Sequence, residues 1–131
     1  MTRTSLLLAA AAALLLAGCP DKYGRSAHDA ASSQFGQVAS MLGELRSPGS
    51  GGVDEAMARQ AADGLDEGRA ASLAATLRML AQAEKAELTG LDSFGKDIYR
   101  AAIQVDDKGR RRTVYVLLVG DGGDLRWAGM N

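Results

Sequence analysis

The sequence predicts an α+β fold, in which two or three N-terminal helices pack on a C-terminal antiparallel meander of three to four strands. Apolar residues recur at helical spacing between Phe35 and Ala81. After Leu88 the apolar period changes to the alternation typical of strands. Turn-forming residues at 106–109 and 120–123 divide that region. Helices followed by strands in one small chain indicate helices on one face of a sheet.

The first feature of the chain is a short apolar run. Arg3 precedes an unbroken series of Leu and Ala at positions 6–17, which matches the charged and apolar regions of a secretory signal. The run has roughly 12 residues, whereas a spanning helix needs about 20. We therefore expect a cleaved signal peptide at residues 1–18 rather than a transmembrane helix.

The apolar run ends in Leu16, Ala17, Gly18 and Cys19. An aliphatic residue, two small residues and a cysteine resemble the lipobox of bacterial lipoproteins. The resemblance implies that the thiol of Cys19 carries a diacylglyceryl group and that its amine is acylated in many species. It also implies that Leu16, Ala17 and Gly18 are recognised by the lipoprotein signal peptidase, which cleaves before Cys19. Two or three acyl chains hold a protein on its membrane, whereas one gives only marginal binding.

The same resemblance implies a bacterial membrane location, with the protein facing the periplasm. Pro20 follows Cys19, and the acidic Asp21 comes one position too late for inner-membrane retention. This order favours the outer membrane. Because Cys19 is the only cysteine, the chain forms no intramolecular disulfide.

Beyond the signal, the sequence predicts a lipidated tether at 19–27 and a single small domain at 28–131, with a flexible linker at 47–52. The whole chain has 15 basic and 16 acidic residues, and only Arg3 is lost with the signal. A slightly acidic domain lacks the basic face that nucleic-acid binding requires. The sequence predicts no nucleic-acid partner and no particular oligomeric state.

Three helical segments, which form two or three helices, are predicted in the first half of the domain. Ser26 and Asp29 match a capping pair at the start of the first helix, and Asp54 is a candidate cap for the second. Each helix carries an apolar stripe, and these stripes predict the core. Their members are Phe35, Val38, Met41, Leu42 and Leu45; Val53, Met57, Ala61 and Leu65; and Leu73, Leu77 and Leu80.

The strands are predicted from alternation at 97–105 and from the β-prone run 113–119. If Lys108 and Gly109 form a two-residue loop, one continuous apolar face is buried. That register pairs Val105 with Arg112, Ile103 with Val114, Ala101 with Val116, and Tyr99 with Leu118. Leu125 and Trp127 return on the next strand, and 86–91 is a candidate fourth strand, with Gly90 at a bulge or bend. The run 114–119 is apolar on both faces, so its second face is expected to be covered by the N-terminal helix or by another protein.

The sequence predicts a protein that is not an enzyme and needs no metal or cofactor. His28 is the only histidine, which excludes a multi-histidine metal site. The densest charge is the series Arg110, Arg111 and Arg112. It either contacts anionic lipid, lipopolysaccharide or an acidic partner, or forms a solubilising hairpin end beside Asp106 and Asp107.

Together these observations predict a lipid-anchored, non-enzymatic envelope protein that binds a protein partner or stabilises an envelope assembly. The order of elements is similar to that of small outer-membrane-assembly lipoproteins. The alternative is a cystatin-like or ketosteroid-isomerase-like cone that binds a small molecule. A fourth strand and a hollow beneath Trp127 would favour the cone, whereas a filled core and an exposed apolar edge would favour partner binding.

Overall fold

The computed structural model describes residues 25–29, 32–47, 49, 51–121 and 123–130. Within these residues a five-stranded antiparallel sheet runs in sequence order, and the helices lie between its first and second strands. The elements are β1 Arg25–His28, α1 Ser33–Arg46, α2 Gly52–Gln60, α3 Glu67–Gln82, β2 Lys85–Phe94, β3 Ile98–Asp107, β4 Arg110–Asp121 and β5 Asp124–Met130. The predicted α+β class is confirmed. The prediction of three to four strands, all after the helices, is wrong.

The additional strand is β1, which occupies positions predicted to be tether and helix start. Arg25 pairs with Phe94 and His28 with Leu91, so β1 forms the edge of the sheet beside β2. The first helix begins only after Ser32, whose Oγ accepts a hydrogen bond from the amide of Phe35 at 3.1 Å. Ser26 therefore caps no helix, and residues 25–27 belong to the sheet rather than to a tether.

The second helix also begins earlier than its predicted cap. Gly51 is the N-cap, with φ of 85°, and Asp54 lies in the first helical turn. A Cβ on Gly51 would lie 2.8 Å from Cβ of Glu55, so the position requires glycine for space as well as for its positive φ. The third helix is capped by Asp66, whose Oδ1 accepts from the amide of Arg69 at 2.7 Å.

The predicted hairpin register is confirmed throughout. Val105 pairs with Arg112, and the pairing continues through the three apolar pairs expected from the sequence: Ile103–Val114, Ala101–Val116 and Tyr99–Leu118. Lys108 and Gly109 have φ of 52° and 77°, and a two-residue turn with both φ positive matches the twist of antiparallel strands. The candidate fourth strand is β2, and its register shifts between Leu88 and Gly90, where a bulge was expected.

The core lies between the three helices and one face of the sheet. The predicted stripe residues Val38, Leu73, Leu77 and Leu80 are fully buried there. From the sheet, the fully buried side chains include Ala101, Ile103, Val116, Leu118 and Trp127. After α2 the chain contacts the β5 edge, where the amide of Ala62 donates to the carbonyl of Trp127 at 2.8 Å. All three helices pack on the same face of the sheet. No other described element covers the opposite face.

Candidate binding surface

The face of the sheet that points away from the helices is the candidate functional surface, and we call it the open face. Cross-strand pairs place its residues in rows across the sheet. The rows, from the end where β1 begins to the β3–β4 hairpin, are Phe94, Ile98 and Val119; Asp92, Arg100 and Leu117; Gly90, Ala102 and Tyr115; Glu87, Gln104 and Thr113; and Lys85, Asp106 and Arg111.

Polarity changes along the open face. The three rows nearest the start of β1 form the apolar end, with Phe94, Ile98, Tyr115, Leu117 and Val119. The two rows nearest the β3–β4 hairpin form the polar end, which carries two acidic and two basic side chains: Glu87, Asp106, Lys85 and Arg111. Ile98 is 50% exposed and Tyr115 is 42% exposed. Large apolar side chains that are exposed together on one face indicate a contact surface.

Arg100 occupies the middle of the apolar end. Its guanidinium carbon lies 5.4 Å from the ring centroid of Phe94 and 5.0 Å from that of Tyr115. Both distances lie within the range of cation–π attraction. Arg100 Nη2 also lies 3.3 Å from Oδ2 of Asp92. The charge at the centre of the apolar end is therefore paired on the same face, and its long side chain bridges the two rings.

The three hairpin arginines do not share one environment. Arg111 lies on the open face opposite Asp106, and its Nε donates to Oδ1 of Asp106 at 2.9 Å. This hydrogen bond and the attraction of the Asp106 charge raise the pKa of Arg111. Arg110 and Arg112 are exposed, and Arg112 shares the helix-side face with Val105. In the described residues, Asp106 thus balances the charge of Arg111 in this series.

One polar pair was not expected from the sequence. Nε2 of His28, on β1, lies 2.9 Å from Oγ of Ser93, on β2. Ser93 is 8% exposed, and its hydroxyl donates to the carbonyl of Ser26 at 3.5 Å. Which of the two groups donates in the His28–Ser93 hydrogen bond depends on the tautomer of the imidazole ring. In either case the pair ties the edge strand β1 to β2. The signal available in the sequence was only a lone histidine 65 residues from its partner.

The lipidation position Cys19 and the recognition residues Leu16, Ala17 and Gly18 lie outside the described residues. Of the helices in the described ranges, none has the length and apolar character needed to cross a membrane. In the same part of the chain, no cluster of three or more His, Cys, Asp or Glu side chains is placed to hold a metal ion. No family model matches this sequence, and neither a curated protein nor a solved structure is similar enough to it to count as a match.

Proposed function

We propose that this protein is a lipid-anchored, non-enzymatic component of the bacterial envelope that faces the periplasm and acts by binding through the open face of its sheet. The four-residue motif ending at Cys19 supports the anchor and, with Pro20, an outer-membrane location. The observation that carries the binding role is the apolar end of the open face, where Ile98 and Tyr115 are exposed. Binding at this face, to a protein partner or to another component of the envelope, would stabilise an envelope assembly.

The packing around Trp127 supports binding at a surface over binding in an internal pocket. Val116, Leu118 and Trp127 are fully buried on the helix-side face. The indole Nε1 of Trp127 donates to Oε1 of Gln60 at 3.4 Å, so its polar atom is directed at a protein group. A small-molecule cone was expected to have a hollow at this place. The fourth strand that the cone also needed is present, but Trp127 has no exposed surface that a ligand could contact.

The anchor is tested by expressing the full chain in a Gram-negative host and measuring the intact mass of the membrane-extracted protein. We expect a mature chain beginning at Cys19 and heavier by a diacylglyceryl group, with or without one further acyl chain. Density separation of the membranes should place it in the outer-membrane fraction. A soluble protein of unmodified mass would contradict the proposed anchor and location.

Two variants make this experiment specific. Cys19→Ala removes the thiol that lipidation requires, so the variant should lose the added mass and should no longer be cleaved before position 19. Gly18→Ala keeps a small residue before the cysteine, so it should be processed like the natural chain. If Cys19→Ala kept the lipid mass, another residue would be the attachment site.

A further inference from the structure

We infer that the apolar end of the open face rests on the same bilayer that holds Cys19, so that the ligand of this patch is the lipid surface itself. This inference rests on the proposed lipidation of Cys19. It assigns the patch a ligand, and it assigns the domain a fixed orientation on its membrane.

The first argument is the position at which the chain reaches the sheet. β1 begins at Arg25, which pairs with Phe94 in the outermost row of the apolar end. Six peptide units separate Cys19 from Arg25, so the two Cα atoms lie no more than about 21 Å apart. The ten-residue strand β3 separates that row from the hairpin by about 30 Å. The anchor therefore keeps the apolar end within reach of the membrane, and the arginine-rich hairpin lies at the opposite end of the sheet.

The second argument is the chemistry of the patch. Ile98, Leu117 and Val119 supply aliphatic surface, and Phe94 and Tyr115 supply rings. Arg100 lies over both rings and its charge is balanced by Asp92, so the patch suits the polar boundary of a bilayer rather than its apolar interior. Aromatic rings with a polar atom suit the same boundary. Attraction to this patch is therefore mainly apolar, and Arg25, which pairs with Phe94 in the outermost row, adds one positive charge.

The third argument concerns what else is able to cover the face. A second copy that covered the whole open face would also bury Lys85, Glu87 and the Arg111–Asp106 pair. Taking such charges out of water is unfavourable. A bilayer that contacts only the apolar end leaves these side chains in water. The change of polarity along the face therefore fits a lipid surface better than a second copy that covers the whole face.

The test uses the lipidated protein reconstituted in vesicles of phosphatidylethanolamine with a minor share of phosphatidylglycerol. Because Cys19 is the only natural cysteine and is proposed to carry lipid, a new cysteine accepts a polarity-sensitive fluorophore selectively. Ile98→Cys labels the apolar end. Thr113→Cys, on the polar end, and Ser72→Cys, on an exposed position of α3, are matched controls. Circular dichroism and the emission of Trp127 check that each variant is folded.

We expect the label at position 98 to show blue-shifted emission, quenching by a nitroxide on the lipid acyl chains, and a several-fold loss of quenching by aqueous iodide. The labels at positions 72 and 113 should stay accessible to iodide. If position 98 were as accessible to iodide as the controls, the membrane contact would be overturned. Protection from iodide without lipid quenching would also overturn it, because a second copy or another protein would then cover the patch.

The lipid anchor and the membrane contact of the patch are tested by separate measurements. The intact mass of each labelled variant shows whether Cys19 carries lipid before any fluorescence is measured. A lipidated protein whose position 98 remains in water refutes the contact and leaves the anchor intact. An unlipidated protein refutes both.

Discussion

At the scale of single residues, Arg46 joins the end of one helix to the end of another. It is the last residue of α1. Its Nη1 donates to the backbone carbonyls of Leu80 and Ala83, and its Nη2 donates to the backbone carbonyl of Glu84. These carbonyls lie at the C-terminus of α3, where backbone acceptors lack partners within the helix. A cation is also favoured there by the helix dipole. The side chain of Arg46 thus holds in place the segment that leads from α3 into β2.

Replacing this guanidinium should lower stability measurably. Arg46→Met keeps much of the apolar stem but removes all three hydrogen bonds, and we expect a loss of about 2 kcal/mol in the free energy of unfolding. Urea denaturation of the unlipidated mature chain measures it. Arg46→Lys retains the charge but not the forked geometry, so its loss should be intermediate. A change for Arg46→Met below about 0.5 kcal/mol, the usual range for a surface substitution, would show that water replaces these bonds without cost.

At the scale of elements, the β3–β4 hairpin shows what local sequence is able to determine. Lys108 adopts φ of 52° in the first loop position, a conformation that is costly for lysine and favourable for asparagine. We expect Lys108→Asn to raise the free energy of unfolding by roughly 0.5–1 kcal/mol, and thermal unfolding followed by circular dichroism measures the gain. Lys96→Asn, in the β2–β3 turn without a positive φ, should leave stability unchanged. Equal effects at both positions would contradict the turn explanation.

The same hairpin could be predicted because two independent signals agree. Alternation of apolar residues places Ala101 and Ile103 on the buried face, and the turn residues then fix which residues of β4 they oppose. For the strand β1, the sequence offers neither apolar alternation nor a turn signal. Its sequence, Arg-Ser-Ala-His, has little β propensity and forms a strand only because the edge of β2, distant in sequence, offers it backbone partners.

Helix starts were harder to predict because several residues offer a cap. Ser26 and Ser32 are equally able to accept a backbone hydrogen bond, and pairing of β1 with β2 decides in favour of Ser32. At α2 the predicted cap was Asp54, but the left-handed backbone of Gly51 starts the helix instead. Existence of the helices followed from their apolar spacing, whereas their first residues depended on the tertiary structure.

At the scale of the whole molecule, the candidate surface could be predicted only in part. The run 114–119 indicated a second apolar face, and the structure confirms that Tyr115, Leu117 and Val119 share it. The sequence could not show that apolar residues collect at one end, because that depends on the pairing of β2, β3 and β4. Nor could it show that the chain reaches the sheet at this end, because that depends on β1. The orientation proposed for the domain follows from these two tertiary facts.

This orientation makes a prediction about the hairpin arginines. If the apolar end contacts lipid, Arg110 and Arg112 point away from the anchoring membrane and are available to an acidic partner rather than to its headgroups. The double variant Arg110→Ser and Arg112→Ser, which leaves the Arg111–Asp106 pair in place, should therefore keep the lipid quenching of a label at position 98. Raising the salt concentration should not reduce that quenching either, since screening weakens charge attraction but not apolar contact. A reversed orientation, with the arginines on the headgroups, would instead leave position 98 in water and make membrane contact of a label at position 113 sensitive to both salt and the double substitution.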